Sequence, residues 1–250
     1  MTDLHTHILP FIDDGAQNKQ TSAGMLQRLR GQGVNSVVFT PHYYGRVHSP
    51  RAFLRKRKEA YDAILEDLPE GMNVRLGAEV HFSDALASNE QSSLLCIEGT
   101  RYMLLELPFS SKWDDLLFKK LRYFIDFSDC VPIIAHFCRY QQVRKNPEIL
   151  SELYSMGCLL QADAEAFLHP KDSRLVFAAM KHNLVHCIGS DCHNLSDRPP
   201  EYKAAIDAAE NAGFGEEIER IQQTMRDILA DREIARKPCR PVKRFFASYR

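Results

Sequence analysis

The chain carries almost no net charge: 32 Lys and Arg stand against 33 Asp and Glu, for a formal −1. A protein that holds nucleic acid by neutralising its phosphates needs a basic surface, so nucleic acid is not an expected partner. The seven cysteines include no Cys-x-x-Cys pair and no regular spacing, which argues against a zinc ribbon or a disulfide framework. No run of about 18 apolar residues occurs. The amino terminus enters a strand-like segment, Met1 to His5, without the basic and then apolar run of a secretion signal. The expectation is a reduced, cytoplasmic setting with no direct membrane insertion. No Gly-x-Gly-x-x-Gly follows the first strand-like run, which weakens the case for a dinucleotide-binding sheet.

With 250 residues, 44% of them hydrophobic, there is enough chain for one large core. Seven runs rich in apolar and β-branched residues read as strands: Asp3 to His5, Asn35 to Thr40, Asn73 to Val80, Tyr102 to Leu107, Val131 to Ala135, Cys158 to Ala162 and Val185 to Gly189. Amphipathic segments lie between them. Ala23 to Leu29 places Met25, Leu26 and Leu29 on one face, and Arg51 to Leu68 repeats that spacing with Phe53, Leu54, Tyr61, Ile64, Leu65 and Leu68. Such alternation predicts a parallel sheet with right-handed crossovers, and seven buried strands favour closure into a barrel. Composition shifts at the carboxyl terminus, where Arg236, Lys237, Arg240, Lys243, Arg244 and Arg250 interleave with Phe245, Phe246 and Tyr249. The chain therefore divides into a barrel, 1–235, and a basic, aromatic tail, 236–250, expected to be solvated or packed on the barrel rather than a docking arm.

Imidazoles and carboxylates recur where these runs end. His5 and His7 are two apart, so on a strand they share one face and can bind one ion. The loop Asp13-Asp14-Gly15 follows with hard oxygen donors. Glu79 and Glu106 each close an apolar strand, where a carboxylate needs a metal or a basic partner. His42, His136 and the segment Asp191-Cys192-His193 also lie at strand ends, and strand ends form the mouth of a barrel. Imidazoles mixed with carboxylates, without paired thiolates, suit manganese, iron or zinc. His81 shares a strand face with Glu79, as a supporting group or a surface histidine.

The segments His5-Thr6-His7, Thr40-Pro41-His42, Gly77-Ala78-Glu79, Leu105-Glu106, Ala135-His136 and Ser190-Asp191-Cys192-His193-Asn194 resemble the ordered motifs of the polymerase and histidinol phosphatase (PHP) superfamily. Within it, Asp13-Asp14-Gly15, Arg139-Tyr140 and Asn194-Leu195 with Arg198-Pro199-Pro200 resemble the bacterial manganese-dependent tyrosine phosphatases of capsule and exopolysaccharide clusters. The likeness runs from the first residues to about Pro200. It implies an α/β fold of PHP type, a distorted seven-stranded (β/α)7 TIM-like barrel, with three divalent ions, manganese first and iron or zinc as alternatives. Carried over by position, His5, His7, Glu79 and Asp191 hold one ion; Glu79, Glu106 and His136 a second, with Glu79 bridging; Asp14, His42 and His193 the third. Arg139 and Arg198 bind phosphate. The implied activity is hydrolysis of phosphotyrosine on a bacterial tyrosine autokinase that controls capsular or exopolysaccharide synthesis. The chain departs from the family pattern at Phe137-Cys138, where Pro-Glu is usual, and at Asp163 and Glu165, where Asn and Ser are usual.

Two Cys-x5-Arg spacings, Cys138 to Arg144 and Cys192 to Arg198, match the loop of thiol-dependent tyrosine phosphatases. Neither contains glycine, and Arg198 precedes two prolines that have no N–H to turn towards a phosphate. The alternatives to a tyrosine phosphatase are a small-molecule phosphoesterase of the histidinol-phosphatase type and a non-catalytic module that binds phosphotyrosine or a kinase. The oligomeric state is open.

Overall fold

The computed structural model describes residues 1–87, 91–109, 112–245 and 248–249. Nine parallel strands build the frame: β1 (Thr2–Thr6), β2 (Ser36–Phe39), β3 (His42–Tyr43), β4 (Asn73–Leu76), β5 (Glu79–His81), β6 (Tyr102–Glu106), β7 (Val131–Ile134), β8 (Leu159–Asp163) and β9 (Cys187–Gly189). They form two sheets, ordered β1-β2-β4 and β3-β5-β6-β7-β8-β9, which together curve as a half-barrel. All ladders among them are parallel, from Thr2 opposite Ser36 to Asp163 opposite Gly189. Beyond β9 the chain returns to β1: Asp191 N–H donates to the His5 carbonyl at 2.9 Å, and His7 N–H to the Cys192 carbonyl at 3.0 Å.

The expected strand Asn73 to Val80 is broken in two, and the expected strand Asn35 to Thr40 is followed by a further short strand, β3, not expected from the sequence; the physical cause is local in both. Pro41 lacks an N–H and separates β2 from β3. In the next strand Gly77 separates β4 from β5, and a Cβ there would lie 3.1 Å from Val38 and 3.3 Å from Thr40. The first halves, β2 and β4, pair in one sheet, while the second halves, β3 and β5, pair in the other. Each break lets the chain bend and turn the residue that opens the following strand, His42 in β3 and Glu79 in β5, into the mouth.

Helices cover the outside of the sheets. The helix Lys19–Gly31 buries Met25, Leu26 and Leu29, and starts where the Asn18 side chain accepts from Thr21 N–H. Pro50–Asp62 begins with Pro50 after a Ser49 cap and buries Phe53. The last long helix, Gly215–Leu229, buries Ile218, Ile221, Met225 and Ile228. The strands between are buried on both faces, with Val37, Val38, Leu104, Leu105, Ile133, Ile134 and Leu160 all inside. That burial explains why they read as short apolar runs rather than alternating ones.

Residues 236–245 lie along the surface. The Tyr154 hydroxyl donates to the Lys237 carbonyl, the His182 imidazole to the Arg240 carbonyl, and Val242 is buried. Arg244–Phe245 pairs antiparallel with Ser248–Tyr249, and the Tyr249 hydroxyl donates to the Arg144 carbonyl at 3.3 Å. Phe246 and Arg250 of the expected tail lie outside the described residues. Among the described residues, no helix is long and apolar enough to cross a membrane.

Candidate metal centre

The loops and strand ends of both sheets converge on one cluster. Three groups of donors overlap there: His5, His7, Glu79 and Asp191; His7, Asp14, His42 and His193; and His42, Glu79 and Glu106. His136 joins the carboxylate pair, with Nε2 2.7 Å from Glu79 Oε1 and 3.6 Å from Glu106 Oε1. The structure thus brings together His5, His7, Asp14, His42, Glu79, Glu106, His136, Asp191 and His193. All but Asp14 and His42 are buried.

The hydrogen bonds at the back of the cluster decide which ring nitrogens face its centre. Gln161 Oε1 accepts from the His136 backbone N–H at 2.7 Å, which fixes the amide, and it lies 3.2 Å from His5 Nδ1. His7 Nδ1 lies 2.7 Å from Asp13 Oδ2. Both Nδ1 atoms face acceptors and so carry a hydrogen, so the neutral imidazoles present their lone pairs at Nε2, and without a metal ion protons there take its place. Those two Nε2 atoms are 3.1 Å apart. Each also lies 3.2 Å from Glu79 Oε2, with Asp191 Oδ1 at 3.3 and 3.4 Å. Four electron pairs pointed at one another are unfavourable without a cation between them. Atoms at such spacings surround a centre about 2 Å from each, the usual bond length from imidazole or carboxylate to a zinc-like ion.

The second and third groups show the same fit. His193 Nδ1 donates to the Asp191 carbonyl at 2.9 Å, so its Nε2, buried and without a hydrogen-bond partner, offers a lone pair 3.5 Å from Asp14 Oδ1. Burial and the charge of His7 push His193 down to about 3, which keeps it neutral. Glu79 Oε2 and His42 Nδ1 are 3.0 Å apart, yet both are buried without a hydrogen bond. Buried, unsatisfied donors and acceptors of this kind fit divalent metal ions.

Electrostatics hold the carboxylates ready. Burial pushes Glu79 and Asp191 towards the neutral acid, but the His5 charge and bonds from the other imidazoles outweigh it and keep both well below the carboxylate range. Glu106 is likewise held down, to about 2, because bonds to His136 and His81 exceed the cost of burial. His136 responds in the opposite sense: burial disfavours its charge, but Glu106 and Glu79 raise it to about 10.

Arg139 and Arg198 stand at the outer rim of the same site. Arg139 Nη1 and Arg198 Nη2 donate to Asp191 Oδ2 at 2.9 and 2.5 Å, while the other oxygen of Asp191 faces His5 and His7. Both guanidinium groups line a cavity of about 370 Å³ together with Asp14, His42, Tyr44 and Phe109. Phe109 lies under Arg139, 5.4 Å from guanidinium carbon to ring centroid, and is stacked beside His136.

Sequence reasoning missed two supporting residues, Asp13 and Gln161. Asp13 accepts from His7 and from the Gly15 and His42 backbone N–H groups, and is held at about 2 because these bonds outweigh its burial. The adjacent pair Asp13-Asp14 gave a signal for both carboxylates but not for which one reaches the centre. Gln161, an inward strand residue among apolar neighbours, gave none. His81 contacts Glu106 Oε2 at 3.2 Å, the supporting position. Two departures from the family pattern meet each other: the Cys138 thiol donates to Asp163 Oδ1 at 3.4 Å. Burial pushes the Asp163 carboxyl up from the usual carboxylate range. Glu165 is exposed and pairs with His169.

The two thiols of the Cys-x5-Arg spacings are poor nucleophiles. Cys192 is fully buried and pushed up to about 12 by burial and the Asp3 charge, and Cys138 is raised by burial and Asp163.

Fold and cluster together define a class: α/β proteins whose parallel strands assemble an imidazole–carboxylate centre at their carboxyl ends. Within it the chain belongs to the CpsB/CapC family of capsular polysaccharide synthesis, whose model matches residues 1–226. Tyrosine-protein phosphatase YwqE of Bacillus subtilis (strain 168) is 32% identical over 262 residues, covering 98% of this chain and 97% of that protein. Tyrosine-protein phosphatase CpsB of Streptococcus pneumoniae is 28% identical, covering 94% of this chain and 100% of that protein. The crystal structure described as YwqE from Bacillus subtilis and CpsB from Streptococcus pneumoniae, unique metal-dependent tyrosine phosphatases, matches with a TM-score of 0.85 and 26% identity. That match covers 98% of this chain and 100% of the other.

Proposed function

We propose that this chain is a metal-dependent protein-tyrosine phosphatase of capsular or exopolysaccharide synthesis, acting in the cytoplasm on a phosphotyrosine-bearing tyrosine kinase. The observation that carries the reading is the convergence of lone pairs from His5, His7, Glu79 and Asp191, with Arg139 and Arg198 anchored on the far oxygen of that same aspartate. In this reading His5, His7, Glu79 and Asp191 hold one ion. Glu79, Glu106 and His136 hold a second, with Glu79 shared, and Asp14, His42 and His193 hold a third. Manganese is the first choice among the ions that tolerate this donor set. Counting each broken strand as one station makes the half-barrel the seven-station PHP type, with residues 1–235 as the barrel and 236–250 as an appended tail.

When bound, divalent ions supply a water-derived nucleophile near neutral pH and offset charge on the phosphoryl oxygens. The protein's own residues do the rest. The planar forks of Arg139 and Arg198, permanently charged, bind and orient the phosphoryl oxygens, with Asp191 holding both forks in place. Attack at phosphorus breaks the bond to the phenolic oxygen, with no covalent link to the protein. The departing phenol has a parent pKa of about 10, so it leaves with little proton assistance, and no acid at the leaving oxygen is needed. Phe109 and Tyr44, both partly exposed at the mouth, give the aryl ring of the substrate two aromatic flanks.

The deciding measurement is phosphate release from a phosphotyrosyl peptide and from histidinol phosphate, side by side, before and after chelation and with manganese restored. Loss on chelation, recovery with manganese and preference for the peptide are expected. Preference for histidinol phosphate would replace this reading with a small-molecule phosphoesterase, and peptide binding without phosphate release by the manganese-loaded protein would replace it with a binding module.

A further inference from the structure

The cavity at the metal centre shares Tyr44 and His81 with a larger neighbouring groove of about 560 Å³. The cations of that groove are Arg46, Lys112 and Lys120, and its acids are Asp84 and Asp114. Both acids are engaged: Asp84 accepts from Lys120 Nζ at 2.6 Å, and Asp114 accepts from the Leu117 N–H at 3.0 Å, capping the helix Asp115–Phe127. The groove keeps more cations than acids, and Arg46 and Lys112 are both exposed. Between them the groove is apolar, with Val47 65% and Leu116 58% exposed. Apolar side chains at this exposure beside two exposed cations suit an extended, anionic peptide segment.

The other side of the mouth has the opposite sign. A smaller cavity of about 170 Å³ shares Asp191 and Arg198 with the centre and carries Glu165, Asp197 and Glu201 on its exposed wall; Glu165 pairs with His169 and Glu201 with Arg28, yet the acids of this lining still outnumber its cations. An acidic chain reaching the mouth is attracted on the Arg46 side and repelled on the Glu165 side. Attraction and repulsion together select one placement, whereas a cationic groove alone would not.

We propose that the groove of Arg46 and Lys112 receives the anionic side chains, carboxylate or phosphoryl, that flank the target phosphotyrosine, and so selects substrates acidic on one side of it. This rests on the phosphatase reading and adds to it a specificity that the metal centre cannot supply. An isolated phosphotyrosine carries no flanking acids, so only a longer peptide can present them to the groove.

The test compares phosphotyrosyl peptides with three glutamates before the target, three after it, or glutamines in both places, using the manganese-loaded protein. One glutamate placement should raise kcat/KM at least about five-fold over the glutamine peptide at low salt, while the other lowers it, and both effects should shrink as salt rises. Repeating the favoured placement with a second phosphotyrosine distinguishes phosphoryl from carboxylate recognition. Arg46→Glu combined with Lys112→Glu should abolish or invert the preference. p-Nitrophenyl phosphate, too small to reach either flank, reports the metal centre separately. Turnover of that ester with equal rates on all peptides overturns the groove proposal alone, as does a preference that survives the double substitution. A wild-type protein inert towards the ester and every peptide overturns the phosphatase reading and this proposal with it.

Discussion

Asp191 faces two ways, and its two oxygens tie recognition to the metal centre. Oδ1 lies 3.3 and 3.4 Å from the His5 and His7 nitrogens, while Oδ2 accepts from both arginines. The residue also sits at a φ of 53°, a left-handed conformation rarely held without a reason, and His136 does the same at 31°. Both side chains swing into the mouth because the backbone turns sharply after β9 and β7. Removing an arginine takes away a donor that meets charge on the phosphoryl oxygens. Arg198→Ala should therefore lower kcat/KM on a phosphotyrosyl peptide by about 10²–10³-fold. Arg198→Lys should not restore it, because an ammonium cannot offer two parallel N–H groups. Cys192→Ser, by contrast, should keep most activity, since its thiol is buried in the hydrophobic core and held near 12. Loss of turnover in that variant with manganese content unchanged would favour a thiol nucleophile and refute the assignment.

At the scale of elements, most strands and the nine candidate donors that the structure brings together were legible because a buried parallel strand leaves a short apolar run and its polar terminus stands out against it. His5-Thr6-His7 and Asp191-Cys192-His193 are visible for that reason. The breaks at Pro41 and Gly77 were not legible as sheet changes, because pairing partners are set by the whole curvature and not by the local run. Gln161 was hidden for a different reason: its function lies in one hydrogen bond to an imidazole 156 residues away. Because that bond fixes the His5 tautomer, Gln161→Leu should weaken manganese binding about 10- to 100-fold with the donor set otherwise intact. Competition against a chelating dye measures this, and unchanged affinity would show that the tautomer is set elsewhere.

His186 is the useful contrast, a buried histidine at the opposite end of a strand. It precedes β9, accepts from the Leu160 N–H at 3.1 Å and stacks on Tyr154. Burial, with Arg220 and Arg236 nearby, pushes it down to about 3, so it is neutral in the folded protein at neutral pH. The unfolded chain takes up that proton near the ordinary histidine value of about 6.5. Its contribution to stability is thus complete above that pH and is lost as pH falls towards 3, by up to about 1.4 kcal/mol per pH unit. His186→Asn keeps an acceptor for Leu160 and removes the titration. Urea midpoints measured between pH 6.5 and 4 should fall less steeply in the variant, and parallel slopes would locate the acid sensitivity in other groups.

Over the whole molecule, the nine proposed donors come from both sheets and span residues 5 to 193, so an ion held by them links elements that are remote in sequence. The unfolded chain has no such arrangement, and binding free energy therefore becomes folding free energy. Without the ion, protons on imidazoles such as His136 offset the buried carboxylates. At manganese about 100 times its dissociation constant, the linkage adds roughly 2.7 kcal/mol to stability. In a chain of this size that corresponds to a Tm rise of about 5–10 °C, growing with the logarithm of manganese concentration. His5→Ala with His7→Ala should flatten that dependence while leaving a folded protein with the far-ultraviolet circular dichroism of the metal-free wild type. A Tm that ignores manganese in the wild type, or a dependence that persists in the double variant, would mean that the ions bind elsewhere and that these lone pairs are satisfied by protons alone.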